Sequence, residues 1–77
     1  MKHLYIIEAT SLHDTLVTCA HIYGRKEAEE EKRLFQKCRH DMHDYRIRKA
    51  TAEEEKEING ERIADYNRIL AAQRRRI

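Results

Sequence analysis

The first apolar residues of the chain stand side by side rather than at helical spacing. Residues 3–9, with the sequence HLYIIEA, carry four consecutive apolar side chains, two of them β-branched and one aromatic. Such a run is typical of a short β-strand. A lone strand leaves backbone groups unpaired on both edges, so it needs the same strand of a second copy or a strand of a partner protein. The alternative is that these residues extend the following helix backward from Ser11.

The next segment has the features of a short helix. Ser11 with Asp14 three residues later resembles an N-terminal capping pair, and Gly24 stands where a residue just beyond a helix C-terminus is expected. These signals predict a helix over about 12–23. Its inward residues are expected to be Leu12, Leu16, Cys19, Ala20 and Tyr23.

From about residue 26 onward, apolar residues recur three and four positions apart, the spacing of one buried helix face. The segment 26–49 begins with glutamates and ends with basic residues, an order that complements the helix dipole. It therefore predicts a long helix. Its apolar stripe consists of Leu34, Phe35, Cys38, Met42 and Tyr45.

A second long helix is predicted over 52–75, because Thr51 and Glu54 have the spacing of a capping box. Asn59 and Gly60 either kink this helix or split off its first turn. The sequence AEEEK occurs near the start of both long helices and supports a helical hairpin. The inward stripe of the second helix is Ile58, Ile63, Tyr66, Ile69 and Leu70.

These elements predict a mainly α fold in a single small domain, 1–77. An antiparallel helical hairpin of about 26–49 and 52–75 follows a short N-terminal strand, 3–9, and a short helix, 12–23. The composition agrees, since 39% of residues are charged, 40% are hydrophobic and none is proline, which favours helices over a β-sandwich or barrel. A chain of 77 residues has a thin core, which favours a homodimer.

Cys38, His40 and His43 raise the question of a metal site. On a helix, Cys38 and His40 point about 160° apart, so they cannot bind one ion. We therefore interpret Cys19 and Cys38 as buried hydrophobes and the two histidines as solvated, and expect no metal and no cofactor. A narrower alternative is a surface patch of His40, His43 and Asp44, with two imidazoles and one carboxylate.

No motif for a nucleophile, a phosphate-binding loop or a dinucleotide site is present, so we expect no enzyme activity. The apolar run before Glu8 is too short for a signal peptide or a membrane span, and two cysteines make no disulfide framework. The expected setting is cytoplasmic, without membrane association.

Two basic groups stand at the ends of the predicted long helices, where the helix dipole accounts for them. They also support an alternative function, a small DNA-associated regulator that contacts phosphates. The residues of that alternative are Arg46, Arg48, Lys49, Arg74, Arg75 and Arg76.

The first functional hypothesis is a non-enzymatic interaction protein that binds a larger protein partner of unknown identity. In size and charge the chain resembles bacteriophage or mobile-element accessory proteins, which implies inhibition of a host enzyme or defence complex. Nucleic acid is the less favoured partner. The predicted contact residues are Leu4, Ile6, Ile7, Phe35, Tyr45 and Tyr66.

Overall fold

The computed structural model describes residues 2–39 and 41–75, without the side chains of Arg74 and Arg75. The described part forms a three-stranded antiparallel sheet with three helices, an α+β fold. The predicted mainly α hairpin is therefore wrong. In chain order the elements are β1 (Leu4–Ser11), β2 (Leu16–Tyr23), α1 (Arg25–Cys38), β3 (Met42–Lys49), α2 (Ala52–Gly60) and α3 (Ile63–Arg75).

The N-terminal strand lies at the centre of the sheet, in the order β2-β1-β3. Ile6 of β1 lies opposite His21 of β2 on one side and opposite Arg48 of β3 on the other. The predicted strand over 3–9 is thus present, and strands of the same chain fill both of its edges. It has no edge left for the second copy or the partner strand that the sequence analysis considered.

The predicted helix over 12–23 is wrong, because its two capping residues form a β-turn instead. The Ser11 hydroxyl accepts hydrogen bonds from the backbone N–H groups of His13 and Thr15, both at 3.2 Å. Asp14 has a φ of 59°, a left-handed conformation that Asp tolerates better than most residues. The chain reverses here and Leu16 begins β2.

Gly24 precedes a helix instead of ending one. Its φ of 93° favours glycine, and a Cβ at this position would collide with the Glu27 side chain. The predicted helix over 26–49 is correct only in its first part. The backbone becomes extended at Arg39, with φ −124° and ψ 126°, and Met42 begins β3.

The last predicted helix, 52–75, is divided in two at the interruption that the sequence contained. The capping box is confirmed, since the Thr51 hydroxyl accepts from the Glu54 N–H at 3.2 Å and the Glu54 carboxylate accepts from the Thr51 N–H at 2.9 Å. After Gly60, the left-handed Arg62 (φ 61°) redirects the chain into α3. The two AEEEK segments lie in α1 and α2, on opposite faces of the sheet, so they do not form a hairpin.

The sheet is covered on both faces, which buries β1 from two sides. On the α1 face the core consists of Ile7, Ala9, Cys19, Ala20 and Met42, with Val17, Ile22, Phe35, Tyr45 and Ile47 packed against them. On the face of α2 and α3 it consists of Leu4, Ile6, Ala50 and Ile58, with Tyr23, Ile63 and Tyr66. This double burial explains the continuous apolar run at the start of the sequence.

Candidate functional site

An ion cluster joins the sheet to α2. Arg48 of β3 lies with Nε 3.2 Å from Glu8 Oε1, and its Nη1 and Nη2 donate to the two carboxylate oxygens of Glu54 at 2.8 and 2.7 Å. Glu8 is only 7% exposed. The hydrogen bonds from Arg48 hold the pKa of Glu54 at about 2, and those to Glu54 and then Glu8 raise the pKa of Arg48. This cluster anchors α2 to the sheet and leaves Arg48 little positive charge to offer a ligand.

His21 lies buried beside this cluster, with 3% of its surface exposed. Its ring meets the Tyr66 ring edge-on, with 4.5 Å between centroids. Burial lowers the pKa of His21 below its ordinary 6.5; Glu54 opposes that shift and Arg48 adds to it. Within the described residues its Nδ1 has no hydrogen-bond partner. Burial thus disfavours protonation of this imidazole, which packs against α3.

Asn67 of α3 covers the outer edge of β2 at one residue, His21. Its Oδ1 accepts from the His21 N–H at 2.9 Å, and its Nδ2 donates to the His21 carbonyl at 3.1 Å. The side-chain amide thus pairs with the peptide of His21 as a neighbouring strand would. This contact satisfies an otherwise open position of the β2 edge.

We expect Asn67→Ala to destabilise the protein by about 1–2 kcal/mol, because two hydrogen bonds to a partly buried edge are lost. Hydrogen exchange at the His21 amide is expected to become faster than in the wild type. The control is Gln73→Ala, at an exposed position of the same helix. Unchanged exchange at His21 in Asn67→Ala would show that Asn67 does not protect this edge.

The outer edge of β3 has no strand beside it in the described structure. The Leu4 carbonyl accepts from the Ala50 N–H at 2.9 Å, so the backbone groups of Ala50 and Arg48 point toward β1. Successive residues of a strand turn these groups to opposite sides, so those of Ile47 and Lys49 point outward. β3 therefore presents an edge that could accept another strand.

The outer edge of β3 carries both basic and apolar side chains. Arg46 and Lys49 are exposed, and Ile47 between them is half-buried. Arg46 projects on the face of α2 and α3, whereas Ile47 and Lys49 project on the α1 face, as the pairing with β1 requires. A positive charge thus stands on each face of the sheet at this edge.

Apolar side chains are exposed at the tip of the β1–β2 hairpin. Leu12 is 69% exposed and Leu16 is 53% exposed. A cavity of about 380 Å³ opens beside Leu12. It is lined by Ser11, Leu12, His13, Thr15, Val17, Asp41 and Met42. Because Met42 and Asp41 lie at the start of β3, the cavity adjoins the same end of the sheet as that strand.

The cysteines and histidines do not come together as one site. Cys19 is buried with its Sγ 3.9 Å from Met42 Sδ, as a small hydrophobe would be, whereas Cys38 is exposed at the end of α1, so its predicted burial is wrong. His43 is exposed, with Nδ1 3.0 Å from Asp44 Oδ2. Among residues 2–39 and 41–75, no three His, Cys, Asp or Glu side chains are grouped to hold a metal. His40 lies outside the described residues.

The predicted contact residues lie mainly in the core. Leu4, Ile6 and Ile7 are fully buried in β1 and offer no surface to a partner. Phe35 and Tyr45 stack on each other, with 6.2 Å between ring centroids, in the core beneath α1. Tyr66 packs against His21 under α3. The apolar character of these residues reflects folding, because the sheet needs two buried faces.

Of the residues of the nucleic-acid alternative, the three in β3 do not form one basic surface. Arg48 is paired with two glutamates, and Arg46 and Lys49 point to different faces of β3. Arg74 and Arg75 lie in the last turn of α3 and their side chains are not described, and Arg76 lies outside the described residues.

Ile47 is a candidate binding residue that the sequence prediction did not include. Its alternation with Arg46 and Arg48 is a period-two signal for a strand.

Neither a protein-family model, nor a curated protein, nor a solved structure matches this chain significantly. In the part of the chain that the structure describes, no helix combines the length and the apolar composition needed to cross a lipid bilayer.

Proposed function

We propose that the chain is a non-enzymatic interaction protein that binds a larger protein partner by accepting a strand of that partner at the outer edge of β3. The observation that carries this proposal is the difference between the two edges of the sheet. Asn67 covers the β2 edge at His21. Ile47 and Lys49 turn their backbone groups outward on the β3 edge, where strand addition can use them.

The side chains of β3 favour a different protein over a second copy of this chain. Pairing two β3 edges would bring the positive charges of Arg46 and Lys49 of both copies together, and like charges across a strand pair are destabilising. Charged side chains on an edge strand also oppose indiscriminate pairing. The predicted homodimer through the N-terminal strand has no support, because β1 is already paired on both sides.

The exposed leucines supply the second part of the proposed contact. Leu12 lines the cavity beside the start of β3, so a partner could bury apolar side chains there while pairing along the strand, and Leu16 adds a second exposed leucine at the hairpin tip. Backbone pairing supplies affinity and such pockets supply selectivity. An inhibitory role belongs to this proposal where the bound segment is one that the partner needs for its own activity.

The test uses Lys49→Pro, which removes an outward N–H and places the proline ring at the edge. Because this N–H points away from β1, the ladder inside the sheet is kept, and proline is tolerated on edge strands. Lys49→Ala is the matched control, since it also removes the charge but keeps the N–H. Peptides selected from a displayed library of random dodecapeptides on the wild-type chain serve as probes.

We expect the selected peptides to bind Lys49→Pro at least about tenfold more weakly than Lys49→Ala, the loss of one or two backbone hydrogen bonds. Far-ultraviolet circular dichroism and the urea midpoint check that both variants are folded. Equal binding to the two variants, or a selection that yields no binding peptide, would overturn the proposal.

A further inference from the structure

The exposed charges beside the open edge bear on the chemistry of the added strand, an inference that rests on the proposed function. Arg46 and Lys49 are exposed. Arg48 between them is neutralised by Glu8 and Glu54, at 3.2 and 2.7 Å. The edge therefore presents two available positive charges, three residues apart and on opposite faces of the sheet.

A strand paired with β3 has one residue opposite each of these positions. Residues opposite one another in an antiparallel pair have Cβ atoms about 5 Å apart, close enough for charged and apolar pairs to stabilise the pairing. The residue opposite Ile47 shares a face with the residue opposite Lys49, whereas the one opposite Arg46 lies on the other face.

We propose that the partner segment is an extended, antiparallel strand with the pattern acidic, any residue, β-branched apolar, acidic. The first acidic residue pairs with Lys49, the apolar residue packs beside Ile47, and the second acidic residue pairs with Arg46. This spacing places one carboxylate on each face of the sheet, matching the two basic side chains.

The residues at the start of β3 restrict the acidic positions of the partner strand to those opposite residues 46–49. Asp44 is exposed, with Oδ2 3.0 Å from His43 Nδ1, and Asp41 accepts from Arg39 at 2.8 Å. Further carboxylates on the partner strand would face Asp44, whereas the charge of Asp41 is paired with Arg39. The partner segment is thus acidic opposite residues 46–49 and neutral or apolar toward the hairpin tip, where Leu12 and Leu16 are exposed.

A protein strand fits this arrangement better than nucleic acid. A phosphate backbone crossing one surface of the sheet could reach Arg46 or Lys49 but not both, because they project from opposite faces. The exposed Asp44 near the start of the strand would repel it. An extended peptide reaches both faces because its own side chains alternate.

The probes are synthetic heptapeptides with acetylated and amidated ends. The test peptide is Thr-Glu-Thr-Val-Glu-Val-Thr. The spacing control, Thr-Glu-Val-Glu-Thr-Val-Thr, has the same composition but both carboxylates on one face. A third peptide has glutamine in place of both glutamates. Binding is followed by chemical-shift changes of the backbone amides at low salt, for the wild type and for the double variant Arg46→Glu/Lys49→Glu.

We expect the test peptide to bind at least about fivefold more tightly than either control peptide, from two favourable charge pairs. The double variant is expected to lose this preference and to favour Thr-Lys-Thr-Val-Lys-Val-Thr. Equal binding of the three peptides would overturn this inference, while loss of all three with Lys49→Pro would still support strand addition. Tighter binding of a twelve-nucleotide single strand or duplex, abolished in the double variant, would also overturn it.

Discussion

Replacing Ile7 with alanine is expected to destabilise the protein by about 4 kcal/mol. The smaller side chain buries less apolar surface on folding and leaves a cavity in the core. Ile7 is 0% exposed in the central strand and belongs to the core beneath α1. Domains of this size are stable by only about 5–10 kcal/mol, so this loss would leave little margin. Urea unfolding followed by circular dichroism measures the change.

The matched control is Leu12→Ala, which removes a comparable apolar side chain at a position that is 69% exposed. Its expected cost is within about 0.5 kcal/mol. A cost below about 1 kcal/mol for Ile7→Ala would mean that β1 is not the buried centre of the sheet, since exposed positions show changes of that size.

The second large effect is expected for Arg48→Met, with a loss of about 2 kcal/mol, because the carboxylate of Glu8 is buried whereas the Arg48 side chain is itself 39% exposed. The substitution leaves the buried carboxylate of Glu8 without its cation and breaks two hydrogen bonds to Glu54. The control is Arg46→Met, in the same strand but exposed. Its cost should stay within about 0.5 kcal/mol.

A double variant and a pH series distinguish the contribution of the ion pairs to stability from that of side-chain packing by Arg48. Glu8→Gln combined with Arg48→Met should recover part of the lost stability, because no uncompensated charge stays buried.

Glu54 has a pKa of about 2 in the folded chain against an ordinary 4.5, so its pairing stabilises the fold above pH 4.5 and is lost as the pH falls toward 2. The difference between the wild type and Arg48→Met should therefore shrink across that window. A constant difference would exclude the pairing with Glu54 as its cause.

Local hydrogen-bonding signals were recognisable in the sequence, but several occur in more than one structure. Thr51 with Glu54 was interpreted correctly, because a capping box satisfies two backbone groups at once. Ser11 with Asp14 was misinterpreted, since the same short polar side chains bind local backbone in turns as well as at helix starts. Gly24 does adopt a positive φ, as the prediction required, but before α1 and not after a helix.

Apolar spacing was ambiguous in the middle of the chain. Leu34, Phe35, Cys38, Met42 and Tyr45 fit a helical stripe, yet only the first three lie in a helix. The alternation of Tyr45, Arg46, Ile47 and Arg48 was the contrary signal, and it agrees with β3. A helix stripe and a short amphipathic strand overlap over so few residues that spacing alone does not separate them.

The candidate surface was less predictable than the fold, because it depends on which edges are left open. Arg46 and Lys49 were marked as basic residues, but their position beside an unpaired strand edge follows only from the pairing of β3 with β1. The apolar residues that suggested binding, such as Ile6 and Ile7, are buried in the two cores. Composition does not distinguish an apolar residue that folds the chain from one that binds a partner.

The sequence by itself determined the capping box at Thr51 and the interruption after Asn59, which depend on neighbouring residues, and it favoured a strand at the start. The polar residues at positions 11–15 marked a local backbone feature, but the sequence did not separate a turn from a helix start there. Only the tertiary structure decided which strand is central, which edge Asn67 covers and which residues flank an open edge. The physical reason is that strand pairing joins residues far apart in the chain, such as Ile6 with His21 and Arg48. A local sequence pattern does not specify which strands pair with each other.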